Sequence, residues 1–132
     1  MLNDQLSSPT MLSIAHEMNC PVTAFIIKKK SGLHAYDIKY FTTTTEIPAC
    51  GHATLACAKL IFEQNKSLPL LTFHTIANII IETFIDEHSV MMNYPRHEMK
   101  KYPVKIRAYD NKVEIGGTAI IYLKGEIELP TQ

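Results

Sequence analysis

The segment that decides the fold spans residues 41–64 and reads FTTTTEIPACGHATLACAKLIFEQ. Its four threonines and Pro48 predict a turn, after which Cys50, Gly51 and His52 stand at the start of a helix. The body of this helix is apolar on nearly every side rather than along one stripe, which predicts burial all round. The residues expected to be buried in it are Leu55, Ala56, Leu60 and Ile61. We therefore expect one central helix, enclosed by the rest of the chain.

The start of this helix is a candidate ligand site. The first N–H groups of a helix have no intrahelical partner, and the positive end of the helix dipole favours a carboxylate or another anion. The same field favours a thiolate at Cys50 and predicts that Cys50 reacts faster than the buried Cys57. The candidate ligand-binding residues are Cys50, Gly51, His52 and Ala53. The alternative is purely structural: Cys50 serves as a small buried hydrophobe, and His52 only caps the helix.

Composition indicates one globular domain. Of the 132 residues, 46% are hydrophobic and 20% are charged, which suits a single core. Thirteen basic residues balance thirteen acidic ones, so no net charge attracts nucleic acid or an anionic membrane. No apolar run approaches membrane-spanning length, and the first residues lack the pattern of a signal segment. Cys20, Cys50 and Cys57 have no C-x-x-C spacing, so we expect free thiols, no metal site and a cytoplasmic location.

The remaining sequence predicts a second helix and many short strands. Ser8 and Pro9 suit the start of an amphipathic surface helix, whose apolar stripe runs from Met11 to Met18. Two segments rich in β-forming residues, 22–28 and 34–41, predict a hairpin. Further strands are predicted over residues 70–75, 78–85, 90–94, 104–109, 112–115, 118–122 and 126–129. The polar segment 95–103, bounded by prolines, predicts a linker.

Residues 41–56, FTTTTEIPACGHATLA, closely resemble the signature of the PhzF-like proteins, the phenazine-biosynthesis isomerase family related to diaminopimelate epimerase. Residues 11–25 and 113–129 resemble the family's first helix and strand and its C-terminal strands. The resemblance implies an α+β fold, a diaminopimelate epimerase-like lobe in which a mixed or antiparallel, barrel-like sheet wraps around the central helix. On this interpretation residues 1–132 form one such lobe: N-terminal-lobe elements over about 8–94, the linker over 95–103 and C-terminal strands over 104–129.

In PhzF-like proteins two lobes face each other, and the resemblance implies that a carboxylate moves a proton between them without a cofactor. The family's catalytic glutamate lies just before a Thr-x-Phe triplet, here residues 23–25, and the matching position holds Val22. Valine cannot carry a proton, so only Cys50 and His52 remain as catalytic candidates. We also expect the family's first strands and its entire second lobe, with its Asp-x-Ala-Thr-Gly-Ser-like motif, to be missing.

Three functional hypotheses follow. In the first, the chain is a degenerate lobe with little or no isomerase activity that binds a small carboxylate at the helix entrance. In the second, it is an isomerase or epimerase of a small carboxylic or amino acid, completed by a second copy or by a separately encoded lobe. In the third, it is a protein-interaction module. A homodimer with facing lobes would bring two copies of Cys50 and His52 to one cleft, whereas pairing of sheet edges would leave them apart.

Overall fold

The computed structural model describes residues 6–30, 32–87, 89–95, 105–108 and 112–119, which form an α+β fold. Within these ranges the helices are α1 (Ser8–Met18) and α2 (Gly51–Gln64). The strands there are β1 (Thr23–Lys28), β2 (Ala35–Phe41), β3 (Glu46–Ile47), β4 (Leu71–Thr75), β5 (Ile80–Asp86), β6 (Ser89–Pro95), β7 (Lys105–Ala108) and β8 (Lys112–Gly117). They form one sheet in the order β1-β2-β4-β5-β6-β8-β7, and β3 pairs with β2.

The sheet is mixed, as predicted. Strands β1 and β2 form the expected antiparallel hairpin, with Thr23 opposite Phe41. Strands β2 and β4 are parallel, and helix α2 lies in the connection between them. Parallel neighbours need such a crossover, because a tight turn can join only antiparallel strands. The other pairs among the described strands are antiparallel.

The two helices cover opposite faces of the β1–β2 hairpin. Side chains alternate along a strand, so neighbouring residues point to opposite faces. Phe25 and Phe41 pack with Met11 and Ala15 of α1, and the rings of Phe25 and Phe41 meet edge to face at 5.6 Å. The side chains that point to the other face of the hairpin, among them Ile26, Ile38 and Tyr40, belong to the core cluster that contains α2. Helix α1 is therefore the predicted amphipathic surface helix.

Helix α1 begins one residue earlier than predicted. The cap is Ser7 rather than Ser8, and the Ser7 hydroxyl accepts a hydrogen bond from the N–H of Thr10 at 3.3 Å. Pro9 falls in the first turn, where a missing N–H costs nothing. At the other end Asn19 adopts the left-handed conformation, with φ of 49°, and its N–H closes the helix on Ala15 and His16.

Helix α2 is not buried on every side, so the prediction fails at two positions. Its buried residues are Ala53, Thr54, Leu55, Ala58, Ile61 and Phe62. Ala56 is exposed and Leu60 is half-buried. Ala56 lies on the stripe that carries His52, Lys59 and Glu63, and a Lys59–Glu63 ion pair of 3.3 Å marks this stripe as the solvent side. Because an exposed alanine costs little, the apolar composition of the helix did not indicate which face is exposed to solvent.

The predicted strands agree with the structure to within one or two residues for β1, β2 and β4 to β8. The two-residue strand β3 was not predicted, because the threonines and Pro48 around it indicate a turn. Thr118 and Ala119 are not in a strand, and the rest of predicted strand 118–122, strand 126–129 and most of linker 95–103 lie outside the described residues. In the part of the chain that the structure describes, no helix is long and apolar enough to cross a membrane.

Two adjacent residues of α2 provide a matched test of the packing. Ile61 is 3% exposed, whereas Leu60 is half-buried. Replacing Ile61 by alanine should lower the free energy of unfolding by about 2–5 kcal/mol, because the surrounding core cannot collapse into the cavity. Leu60→Ala should cost clearly less. Urea unfolding of both variants measures the difference, and equal losses would contradict the observed orientation of α2.

Candidate ligand site at the start of helix α2

The site begins where the chain leaves β3 and turns into α2. Cys50 is the last residue before the helix, with the extended backbone angles φ −152° and ψ 109°, and its side chain does not cap the helix. Gly51 follows and lies against β6: a Cβ built on it would stand 2.8 Å from Cε of Met92. The glycine therefore allows the first turn of α2 to approach β6 closely.

The side chains of Cys50 and His52 are in contact at this point. The Cys50 Sγ lies 3.4 Å from Nδ1 and 3.5 Å from Nε2 of His52. The thiol is 9% exposed, while the imidazole is exposed. Ala53 is buried, so its contribution to a ligand is limited to its backbone N–H. A ligand arriving from solvent would meet the imidazole first, with the thiol beneath it.

The structure does not favour the thiolate that the sequence predicted at Cys50. Burial raises the pKa of the Cys50 thiol above its ordinary value, and the backbone N–H groups of Ala53 and His52 lower it only in part. The helix start thus acts in the expected direction, but the loss of solvent outweighs it. Cys50 is accordingly a neutral thiol near pH 7, able to donate a weak hydrogen bond.

Cys57 lies two turns further along α2 and is also a neutral thiol. It exposes more of its side chain than Cys50, yet burial raises its pKa further, to about 12, with Cys50 adding a smaller increase. Burial is the main cause at both thiols and acts more strongly at Cys57, whereas at Cys50 the N–H groups of Ala53 and His52 oppose it. Cys20 is exposed, and all three cysteines are free thiols, as predicted.

Tyr94 belongs to the same cluster and was not recognised in the sequence. Its register on β6 puts it on the face that carries Met92, the residue against Gly51. Burial and the nearby Cys50 both raise the pKa of the Tyr94 hydroxyl. The alternation of Val90, Met92 and Tyr94 along β6 was the signal that could have identified it.

Val22 and Glu46, the acidic residue before the helix start, lie on opposite faces of the sheet. Val22 packs against the core cluster that contains Cys50, so this is the face on which a glutamate at position 22 would act. Glu46 is opposite Phe41 in the β2–β3 pair and therefore shares the face covered by α1. Its Oε1 is buried without a hydrogen-bond partner among the described groups. Glu46 therefore does not face the cluster that contains Cys50.

The arrangement offers a thiol, an imidazole, a phenol and the backbone N–H groups of the helix start, contributed by Cys50, His52, Tyr94 and Ala53. These groups can hold an anion and can donate protons to it. Among the described residues, no set of three or more His, Cys, Asp or Glu side chains is placed to hold a metal ion.

The two thiols on α2 should differ in their response to pH. A raised pKa means that less thiolate is present at a given pH, so alkylation of either cysteine should accelerate only as the solution becomes alkaline. Cys50 should respond at lower pH than Cys57, whose pKa is about 12, and should react faster throughout. Mass spectrometry after iodoacetamide pulses between about pH 7 and 10 measures both rates in one sample. Equal rates would contradict the assigned environments.

Comparison with known proteins agrees with this geometry. The family model PhzC-PhzF, described as phenazine biosynthesis-like protein, matches residues 1–105. A human phenazine biosynthesis-like domain-containing protein is 32% identical over 132 residues, covering 91% of this chain and 43% of the relative. An uncharacterised isomerase of Clostridium acetobutylicum is 43% identical over 100 residues, covering 72% of this chain and 33% of its own length.

A crystal structure of a PhzF-family phenazine biosynthesis protein from Enterococcus faecalis superposes with a TM-score of 0.61 at 27% identity, covering 80% of this chain and 43% of that one. The chain thus spans less than half the length of the relatives that it matches. The family model nevertheless covers most of its residues, and the fold and the sequence agree. The chain belongs to the PhzC-PhzF family of phenazine biosynthesis-like proteins.

Proposed function

We propose that this chain is a degenerate PhzF-like lobe that binds a small carboxylate at the start of α2 and has little or no isomerase activity of its own. The observation that carries the proposal is the packing of Val22 against the cluster containing Cys50. The family resemblance implies a catalytic glutamate at this position. The side chain that would move the proton is absent from the face where the ligand groups converge.

The charge state of the site favours an anionic ligand. Burial keeps Cys50 protonated, so no negative charge at the helix start repels a carboxylate. The exposed imidazole can donate to the anion, and the N–H groups of His52 and Ala53, which already act on the Cys50 sulfur, add positive potential at the helix start. A ligand that also reached Tyr94 would bridge α2 and β6, which lie close together at Gly51.

The same groups are poorly suited to removing a proton from carbon. General acid–base catalysis contributes about 10² to 10⁴ in rate and requires a group of suitable pKa in the correct position. Cys50 is a poor general base, because its raised pKa leaves little thiolate at neutral pH. His52 remains as the single exposed candidate in the segment 50–53.

We further propose that the sheet curls around α2 in the barrel-like manner of one family lobe. Helix α2 contacts β1 near one end of the strand order and β6 and β8 towards the other, which supports a curved sheet. Because the chain spans 43% of the human relative, a one-lobe interpretation of the described residues is consistent with its length.

Acetate should bind at the α2 entrance. In 1H–15N spectra we expect the amides of His52 and Ala53 to shift most on titration, because their N–H groups receive the anion. His52→Ala should weaken the titration by about twofold to tenfold, the effect of one lost hydrogen bond. His74→Ala is the matched control, because His74 is half-buried on the opposite face of β4. Amide shifts spread over the whole surface, or equal effects of the two variants on the titration, would contradict the proposed site.

The second candidate is an isomerase or epimerase of a small carboxylic or amino acid, completed by association with a second copy or a separate lobe. Its support is the convergence of Cys50, His52 and Tyr94, together with the isomerase named among the relatives. In a homodimer with facing lobes, a two-fold axis would bring both copies of these three side chains to one cleft. Such a contact needs only one self-complementary surface patch.

Restoring the carboxylate separates the two candidates. We expect Val22→Glu to catalyse no exchange of solvent deuterium into small amino or carboxylic acids, because a facing lobe is also required. Val22→Gln is the matched control, since it has the same shape but cannot take a proton. Exchange by Val22→Glu alone, at concentrations where sedimentation shows a dimer, would instead favour the assembled isomerase. Sedimentation as a monomer at micromolar concentration would contradict the homodimer.

A further inference from the structure

A buried chain of hydroxyl groups connects the sheet to the residue that carries the candidate site. The Oγ1 of Thr54 donates a hydrogen bond of 2.8 Å to the carbonyl of Cys50. A hydroxyl has one proton to donate, so the 2.6 Å bond between Thr54 and Tyr40 must be donated by the Tyr40 hydroxyl. Thr54 and Tyr40 are both 0% exposed. These two hydrogen bonds form a chain that we call the relay: it runs from Tyr40 on β2, through Thr54 on α2, to the carbonyl of Cys50.

The relay fixes the first turn of α2 more firmly than the helix alone would. The backbone N–H of Thr54 also donates to the Cys50 carbonyl, at 3.0 Å, so this carbonyl accepts two hydrogen bonds. Cys50 makes no capping bond with its own side chain, and a helix end without a cap tends to fray. The hydrogen bonds from Tyr40 and Thr54 therefore restrain the start of α2 in place of a capping side chain.

We propose that Thr54 and Tyr40 are positioning residues, which hold Cys50 and the following N–H groups in the arrangement that receives the ligand. This inference rests on the proposed function for the ligand, whereas the restraint on Cys50 can be measured without any ligand. Neither hydroxyl lies in contact with solvent, so neither is expected to touch the ligand itself.

The two α2 thiols distinguish a positioning role from ordinary stabilisation. Thr54→Val keeps the shape of the side chain but removes the relay, so the first turn should open locally and expose Cys50. Global unfolding exposes Cys50 at the helix start and Cys57 within α2 together, so global destabilisation would raise both alkylation rates by the same factor. We expect the ratio of the Cys50 rate to the Cys57 rate to rise by about twofold to tenfold in Thr54→Val, the effect of one hydrogen bond.

Two further variants complete the experiment at a single fixed pH. Thr54→Ser retains the hydroxyl and should restore the wild-type ratio even if it is less stable. Tyr40→Phe removes only the outer bond of the relay, so the ratio should rise in the same direction but less, and this variant serves if Thr54→Val does not fold. An unchanged ratio in the folded variants, or a ratio that Thr54→Ser fails to restore, would overturn the positioning role.

Acetate titration of the same variants tests the link to binding. We expect Thr54→Val to weaken acetate binding by about twofold to tenfold and Thr54→Ser to retain it. If the wild-type chain does not bind acetate, the proposed ligand site fails, and the thiol ratio alone decides the positioning role. If acetate binds equally to both variants although the thiol ratio changes, the relay restrains Cys50 without positioning the ligand groups, and the inference is overturned.

Discussion

The packing of α2 against one face of the sheet is the interaction on which the rest of the structure depends. Helix α2 connects β2 to its parallel neighbour β4, and its buried residues form the core together with the inward side chains of β2, β4, β5 and β6. At the start of the helix Gly51 lies beside the tip of the Met92 side chain, and the Cys50 carbonyl is hydrogen-bonded through Thr54 to Tyr40. The candidate site is therefore a consequence of core packing rather than a loop placed on top of it.

The same packing sets the chemistry of the site through two opposing effects. A helix start favours negative charge, whereas removal from solvent disfavours any charge. At Cys50 burial prevails, because the side chain is turned towards the core and makes no capping bond. At His52, two residues further along, the ring stays in solvent. One turn of helix thus presents a neutral thiol beneath an exposed imidazole.

Much of this arrangement was predictable from local patterns, because the decisive features are local. The helix start at Cys50 to His52, the β1–β2 hairpin and the amphipathic α1 all follow from turn residues and from apolar periodicity within a few positions. What could not be predicted depends on contacts distant in sequence. Three features depend on which strand packs against which side of α2. They are the solvent exposure of Ala56, the raised pKa of Cys50 and the position of Tyr94 beside Cys50.

The valine at position 22 suits the polarity of its surroundings. Val22 packs against a cluster whose polar members, Cys50, Tyr40 and Tyr94, all have pKa values raised by burial and are therefore neutral near pH 7. A glutamate in this position would place a charge in surroundings that penalise charge, and no cation is found in the described core cluster to offset it. Valine brings no charge into these surroundings and adds an apolar side chain to the core cluster, so position 22 and its neighbours agree in polarity.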